Sequence, residues 1–401
     1  LVEGPLALYF EPYAEYLADQ GYSQVSYWKK TFLINEFSQW LSREGISVDE
    51  ITATHEEAFL RYRARRRCLK GGDRIALSDV TCWLQEKSII ECTATTLVET
   101  SAVDRVLQEY RSYLNEDRGL APATIENYAS YIRHFLTDIS GEDELRLASV
   151  HASQIADYIR RNAPRHRTFA SAKHIVTALR SFFRFVRYRD YVHIDLAAAV
   201  PSVAGWSMAS IPRAMPADCV RVLLNESKKW RTPDGLRNRA ILLFLSRLGL
   251  RAGEVVRLEL GDIDWSQGCL SMNGKGRAER PLPLPHDVGQ AIAAYLEHGR
   301  PESTCRRVFL RSRAPFEGLA SHSDVCQIVA HAIKRAGIEL ASTGSHQLRH
   351  ALAVDLLRQG LPLADIGQML RHRSPDATRR YAKVDLDALR EVALPWPGAM
   401  P

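Results

Sequence analysis

"HQLRHALAVDLLRQGLPLADIGQMLRHRSPDATRRYAKV" occupies residues 346–384 and sets His346, Arg349 and His350 within one helical turn, then His372, then Tyr381. His346 and His350 share a helix face, as the histidines of an H-E-x-x-H zinc site do. Gln347 stands where that site needs its glutamate, and Arg349 would repel a cation, so a metal centre is rejected. The residues present suit an anion instead.

Working outward, two further positions join them: Arg251 in "LGLRAGEVVRLELGDID" (248–264) and Lys275 in "NGKGRAERPLPL" (273–284). Attack on a phosphodiester builds a five-coordinate phosphorane with added charge on its non-bridging oxygens. Guanidinium forks match that geometry and keep their charge at any working pH, which fits Arg251 and Arg349. His346 and His372 can add hydrogen bonds or move protons near neutrality. Tyr381 needs help as a nucleophile, because a free phenol has a pKa of about 10. The cations Arg251, Arg349 and Arg380 are expected to favour its phenolate, with His346 as candidate base. A phosphotyrosyl ester keeps the bond energy, so rejoining requires neither ATP nor another cofactor.

The order and spacing of these residues resemble the tyrosine recombinases, or phage-integrase family, over roughly residues 211–390. They comprise Gly-Leu-Arg with Glu254 three residues on, a Gly-Lys-Gly hairpin followed by "ERPLPL", His-x-x-Arg-His, His372 and Tyr381. The helical stretch at about 103–190 resembles that family's core-binding domain. The resemblance implies a 3′-phosphotyrosyl intermediate, a departing 5′ hydroxyl, duplex DNA as partner and a homo-tetramer on two DNA sites. Lys275, on a glycine-flanked turn, is assigned as the acid for that departing oxygen, and Glu254 and His350 as supporting residues behind the site. Ala252 and Gly253 depart from the larger residues usual before Glu254, Arg371 stands where glycine often precedes the histidine, and Arg379 and Arg380 crowd the nucleophile. None of these removes a reacting group. A type IB topoisomerase shares the chemistry and is the nearest rival; a DNA-binding protein with a dead site is the other, though no reacting group is missing.

The formal charge of +6 over 401 residues favours an anionic partner only weakly. Its distribution says more. From Arg160 to Arg189 the chain carries Arg160, Arg161, Arg165, Arg167, Lys173, Arg180, Arg184, Arg187 and Arg189 with no acidic residue between them, which reads as a phosphate-seeking surface. Segments 123–136 and 171–186 show apolar residues at helical spacing, with Pro122 just ahead of the first. In the second, Ile175, Leu179, Phe182, Phe183 and Val186 form the stripe expected to be buried.

The first ninety or so residues read as a worn copy of that helical region, hence a second DNA-binding module. "YAEYLADQGYS" (13–23) parallels "YRSYLNEDRGLA" (110–121), "FSQWL" (37–41) parallels "FLTDI" (135–139), and "WLQEKSII" (83–90) parallels "FVRYRDYV" (185–192). The basic residues Arg61, Arg63, Arg65, Arg66, Arg67, Lys70 and Arg74 precede the last helix of this copy. A linker at 199–216 separates the helical part from the remainder of the chain. The expected domains are therefore 1–95, 103–192 and 211–401. The fold class expected is mainly α with a small antiparallel sheet, carried by the last domain around Cys269–Met272 and Arg280–Leu284. The tail "VDLDALREVALPW" (384–396) is expected to form a helix that packs on a neighbouring subunit or on its own domain.

Seven cysteines without a C-x-x-C pair argue against a disulfide frame or zinc finger. The longest apolar run, Ala240–Leu245, is far below the ~20 residues that span a bilayer. No basic-then-apolar leader opens the sequence, and the expected location is the cytoplasm. The chain opens on leucine, so its true start can lie upstream. The DNA target and reaction direction are not written in these residues, since phosphate contacts carry no base code.

Overall fold

The computed structural model describes residues 3–69, 71–90, 101–140, 147–162, 169–202, 213–271, 273–274, 277–278, 281–372 and 374–384. The chain divides into two compact units, Leu1–Cys92 with Ser210–Pro401, and Thr93–Ala209. It is mainly helical, with a small antiparallel sheet in the last segment.

The first segment carries α1 (Phe10–Asp19), α2 (Gln24–Glu44), α3 (Ala53–Ala64) and α4 (Gly71–Glu86). Ser23 caps α2 by accepting from the Ser26 amide, and Gly45 ends it in the left-handed region. Tyr13, Leu17, Ile34, Phe37, Leu77, Val80 and Trp83 form its core. The turn between α1 and α2 packs on Phe316 of the last segment: a Cβ at Gly21 would lie 2.2 Å from the Phe316 ring, and its φ of 76° also favours glycine.

The second unit carries α5 (Ala102–Glu116), α6 (Pro122–Ser140), α7 (Ala152–Asn162), α8 (Phe169–Tyr188) and the short α9 (Leu196–Ala199). Pro122 is the first residue of α6, where its missing N–H costs nothing. The apolar stripe of α8 is buried as its periodicity predicts, each of Ile175, Leu179, Phe182, Phe183 and Val186 being at most 2% exposed.

The two helical segments bury residues at matching positions in the register read from the sequence. Buried Tyr13, Leu17, Ile34, Phe37, Leu77, Trp83, Leu84 and Ile90 stand where Tyr110, Leu114, Ile132, Phe135, Leu179, Phe185, Val186 and Val192 stand. The rings of Tyr13 and Trp83 lie 5.2 Å apart, and those of Tyr110 and Phe185 lie 5.3 Å apart. After α4 and after α8 comes a non-glycine residue of positive φ, Ser88 at 55° and Asp190 at 58°.

The last segment carries α10 (Ala217–Ser227), α11 (Pro233–Arg247), α12 (Ala252–Arg257), α13 (His286–His298), α14 (His322–Arg335), α15 (His346–Arg358), α16 (Leu363–Met369) and α17 (Pro375–Arg379). Strands β1 (Ile263–Asp264), β2 (Cys269–Leu270) and β5 (Leu282–Pro283) pair antiparallel in that order, with Leu270 opposite both Ile263 and Leu282. Between them β3 (Asn273–Gly274) and β4 (Arg277–Ala278) form a hairpin. α11 is buried nearly all round, from Ala240 to Leu245, so α13, α14 and α15 can pack about it. Among the described residues no helix is long and apolar enough to cross a membrane, and the described cysteines are all free thiols.

Candidate active site

Arg251 follows the sharp turn that ends α11. Gly249 makes that turn possible: its φ is 59°, and a Cβ there would lie 2.5 Å from Leu370. Arg251 then starts α12. Its backbone N–H and its Nη1 each donate to the Glu254 carboxylate at 2.7 Å, and its Nη2 donates to the Arg371 carbonyl at 3.2 Å. Arg371 Nη2 donates to the same carboxylate at 2.9 Å. Glu254 thus holds two guanidinium groups, and these bonds keep its carboxyl below the usual range despite burial. The Arg371 side chain is only 11% exposed and its backbone has φ of 51°, a conformation that glycine adopts without strain.

Arg349 lies on α15 with 3% of its surface exposed. It donates to the carbonyls of Gly249 and Leu370, which tie the end of α11 and the end of α16 to one guanidinium. Burial, and then the charge on Arg251, push its pKa down to about 10, so it stays charged at neutrality.

Tyr381 sits in the short 3₁₀ turn Arg380–Val384, at 1% exposure. Its oxygen is 2.7 Å from His350 Nδ1, and the His372 ring stacks on its own at 6.1 Å and 9°. His372 Nδ1 is in turn 2.6 Å from Thr378 Oγ1, which α17 supplies. Burial, followed by neighbouring positive charge, pushes both His350 and His372 down to about 4. For His350 the neighbouring groups are His346, Arg380 and Arg349; for His372 they begin with Arg349 and Arg251. His346 reaches solvent as a residue, yet partial desolvation of its ring and then Arg349 and Arg251 disfavour its protonation too.

Two sequence expectations change. The cations were expected to lower the Tyr381 pKa; they do act in that direction, but burial outweighs them and the phenol stands above its ordinary value. His350, expected behind the site, is the histidine in hydrogen-bond contact with Tyr381, while the His346 ring lies 6.2 Å from that of His350. The structure brings Arg251, Arg349, His350, His372 and Tyr381 together. Lys275 lies outside the described residues, as does the 385–396 part of the expected tail helix; the β3–β4 ladder, with Gly274 opposite Arg277, flanks residues 275 and 276. Among the described residues no three His, Cys, Asp or Glu side chains cluster as a metal set. Sequence reasoning missed the part Arg371 plays at Glu254, because the pair spans 117 positions of chain.

The basic stripe is less free than its sequence implied. Arg160 pairs with Asp157 at 3.0 Å, Arg161 with Asp138 at 2.7 Å and Arg187 with Asp195 at 3.3 Å, all acids from outside the stripe. Arg180 donates to the Val200 carbonyl and to Ser202. Arg184 is exposed and lines a groove with Arg180 and Arg187, Lys173 is exposed two turns before Arg180 along α8, and Arg165 and Arg167 lie outside the described residues.

Known proteins resemble this chain in sequence and in fold. Residues 213–387 match the phage integrase family and residues 107–190 match its N-terminal SAM-like domain. A putative integrase/recombinase of Sinorhizobium fredii, y4rA, is 44% identical over 397 residues, covering 99% of this chain and 96% of the relative. The tyrosine recombinase XerD of Mycobacterium tuberculosis is 32% identical over 310 residues, 74% of this chain and 97% of its own length. Among solved structures, the XerH site-specific recombinase bound to its palindromic difH substrate superposes with a TM-score of 0.57 at 17% identity, over 71% of this chain and 83% of that one. The Tn1549 transposon integrase in complex with circular intermediate DNA gives 0.55 at 15% identity, over 71% and 98%. A relative alike over nearly the whole length, and family matches that take in both the helical module and the segment with Tyr381, lead to one assignment: the chain belongs to the phage integrase family, the tyrosine recombinases.

Proposed function

We propose that this chain is a site-specific recombinase or integrase that cleaves and rejoins duplex DNA through an ester between Tyr381 and a 3′ phosphate. One observation carries the reading: the Tyr381 oxygen is held by His350, stacked by His372 and lies within the electrostatic reach of Arg349, Arg380 and Arg251. A phosphodiester placed against Arg251 and Arg349 would meet two permanent cations that are already oriented, Arg251 by Glu254 and Arg349 by two carbonyls. Preorganised donors of this kind stabilise charge that develops during reaction. Tyr381 attacks phosphorus, the 5′ oxygen departs, and Lys275 supplies its proton. His346 and His372 complete the set as hydrogen-bond donors to phosphate. Because the ester conserves the bond energy, the reverse attack by a 5′ hydroxyl rejoins the strand without a cofactor.

The exposed Arg184 and Lys173, and the stripe as a whole (Arg160, Arg161, Arg165, Arg167, Arg180 and Arg187), serve as phosphate contacts in this reading; the acid partners named above exchange for phosphate on binding. The matching buried positions support residues 1–95 as a copy of the module at 103–192, ahead of a catalytic domain at 211–401. XerH and the Tn1549 integrase are complexes with DNA, and for this chain we propose the same partner, a homo-tetramer on two sites, and a cytoplasmic location.

Tyr381→Phe removes one oxygen and no charge, so it is expected to bind DNA as the parent does and to form no protein–DNA adduct on a suicide substrate. An adduct surviving in that variant would refute the assignment.

A further inference from the structure

We infer that His350 is a catalytic residue: its Nδ1 takes the proton of Tyr381 as the phenol attacks phosphorus, and returns it when the strand is rejoined. This rests on Tyr381 as the nucleophile and adds the group that activates it. The argument begins with hydrogen-bond accounting. A buried O–H is almost always donated. Among the described residues the Tyr381 oxygen has one hydrogen-bond partner, His350 Nδ1 at 2.7 Å. A neutral imidazole has one N–H and one lone pair. The surroundings keep His350 neutral, so Tyr381 donates to a lone pair on Nδ1 and the ring proton sits on Nε2. That is the geometry a general base requires, on the reacting atom itself.

The charged and titratable groups facing His350 are His346 and Arg349 from α15, Arg380 and Tyr381 from the 3₁₀ turn, and His372 from the segment between α16 and α17. Without an anion, burial and then the neighbouring charges make an imidazolium at His350 costly, and burial makes a phenolate costly, so the proton stays on oxygen. A bound phosphodiester adds a negative charge, and the phosphorane adds another, which offsets Arg349 and Arg380 and raises the basicity of the ring just when it is needed. The step balances. The Tyr381 O–H bond breaks as an N–H bond forms on His350, the phenol oxygen's electron pair forms the new P–O bond, and the P–O5′ bond breaks with its pair going to the 5′ oxygen, which takes a proton from Lys275. Rejoining runs these transfers backwards.

A residue that merely positions the ring must be told apart from one that accepts its proton. His350→Gln serves, because an amide oxygen can hold the phenol by a hydrogen bond but cannot become protonated near neutrality. We expect single-turnover cleavage to slow by roughly 10²–10³, within the usual range for a lost general base, and the residual rate to rise about tenfold per pH unit as hydroxide replaces the histidine. Insertion of a fluorinated tyrosine at position 381, whose phenol ionises near neutrality, should then restore most of the rate to His350→Gln. The same insertion should leave the His350 protein unchanged or slower, because the phenolate it yields is a weaker nucleophile. A defect equally deep with either phenol would overturn the inference and leave His350 as a positioning residue. His350→Asn provides the same comparison where the glutamine variant is unstable, with DNA binding and thermal unfolding as the folding controls. Peptide mapping separates the two levels: an adduct away from residue 381 defeats the nucleophile assignment, whereas an adduct at 381 without rescue defeats the role of His350 alone.

Discussion

Glu254→Ala tests whether the buried carboxylate organises Arg251, the arginine proposed to meet phosphate. Glu254 accepts three charge-assisted hydrogen bonds, two from Arg251 at 2.7 Å and one from Arg371 at 2.9 Å. At ~1.5–3 kcal/mol each their gross value is ~5–9 kcal/mol. The net value is smaller, because the Arg251 side chain is 38% exposed and regains water when its partner is removed. Arg371, at 11% exposure, regains little. Breaking a buried pair by removing one partner costs ~3–5 kcal/mol, and partial solvation of Arg251 places this case near the lower end, at about 3 kcal/mol. Hydrogen exchange at the backbone amides of α12 and α15 reads that loss where it occurs, free of the other modules. Cleavage should slow by roughly 10–10² under single-turnover conditions, less than the 10²–10³ for losing a donor outright, because Arg251 remains present but is no longer held. Parental protection together with parental cleavage would refute the reasoning, since Arg251 would then be oriented by something other than Glu254.

Stability should depend on pH through His350 and His372. Both are pushed down to about 4 in the folded chain from an ordinary 6.5, so the unfolded chain takes up protons that the folded one refuses. Their contribution is complete above about pH 6.5 and is lost as pH falls toward about 4; Glu254, held below its ordinary 4.5, adds a further loss below that value. Urea midpoints across this range, with His350→Gln/His372→Gln flattening the upper part, check it; a flat parental curve would contradict it. The first module carries exposed Arg65, Arg66 and Arg67, and neutralising all three should lower the salt slope of DNA binding by ~0.9 for every phosphate they neutralise in the parent. An unchanged slope would assign the module to protein contact through its exposed Leu8, Val25, Trp28 and Phe32.

What could be read in the sequence was what depends on local spacing. Periodicity located the buried face of α8, and Pro122 marked the start of α6, because both signals act within a few residues. The strands expected around Cys269–Met272 and Arg280–Leu284 are β2 and β5, found at Cys269–Leu270 and Leu282–Pro283. Order and spacing also singled out Arg251, Arg349, His372 and Tyr381. The rest depends on distance through space. A four-residue spacing places His346 and His350 on one face of α15 but does not say which of them meets a turn 31 positions later. The direction of the Tyr381 shift required knowing that burial exceeds the effect of three arginines, and no list of neighbouring charges contains that comparison. The stripe from Arg160 to Arg189 lacks acids along the chain, yet Asp138 and Asp195 reach it from adjoining segments.

If the two helical modules are copies, as proposed, they show how independently the faces of one helix can change. α4 and α8 keep the same buried positions, Leu77 with Leu179, Trp83 with Phe185 and Leu84 with Val186, because a core residue is fixed by every neighbour it touches. In the same register the outward positions differ: α8 bears Arg180, Arg184 and Arg187 where α4 bears Ser78, Cys82 and Gln85. Surface substitutions of that kind usually alter stability by less than ~0.5 kcal/mol, so folding exerts little hold on them. The cations of the first module are densest instead from Arg61 to Arg74, around the α3–α4 connection, and several are already engaged: Arg63 with Glu36 and Asp73, Arg67 with Glu36, and Arg66 over the Tyr62 ring. A shared pattern of buried positions would therefore not imply a shared grip. On the proposed duplication, a first module that meets DNA would do so mainly through the α3–α4 connection, where its cations are densest, and not through α4, the counterpart of the helix proposed to meet DNA in the second module.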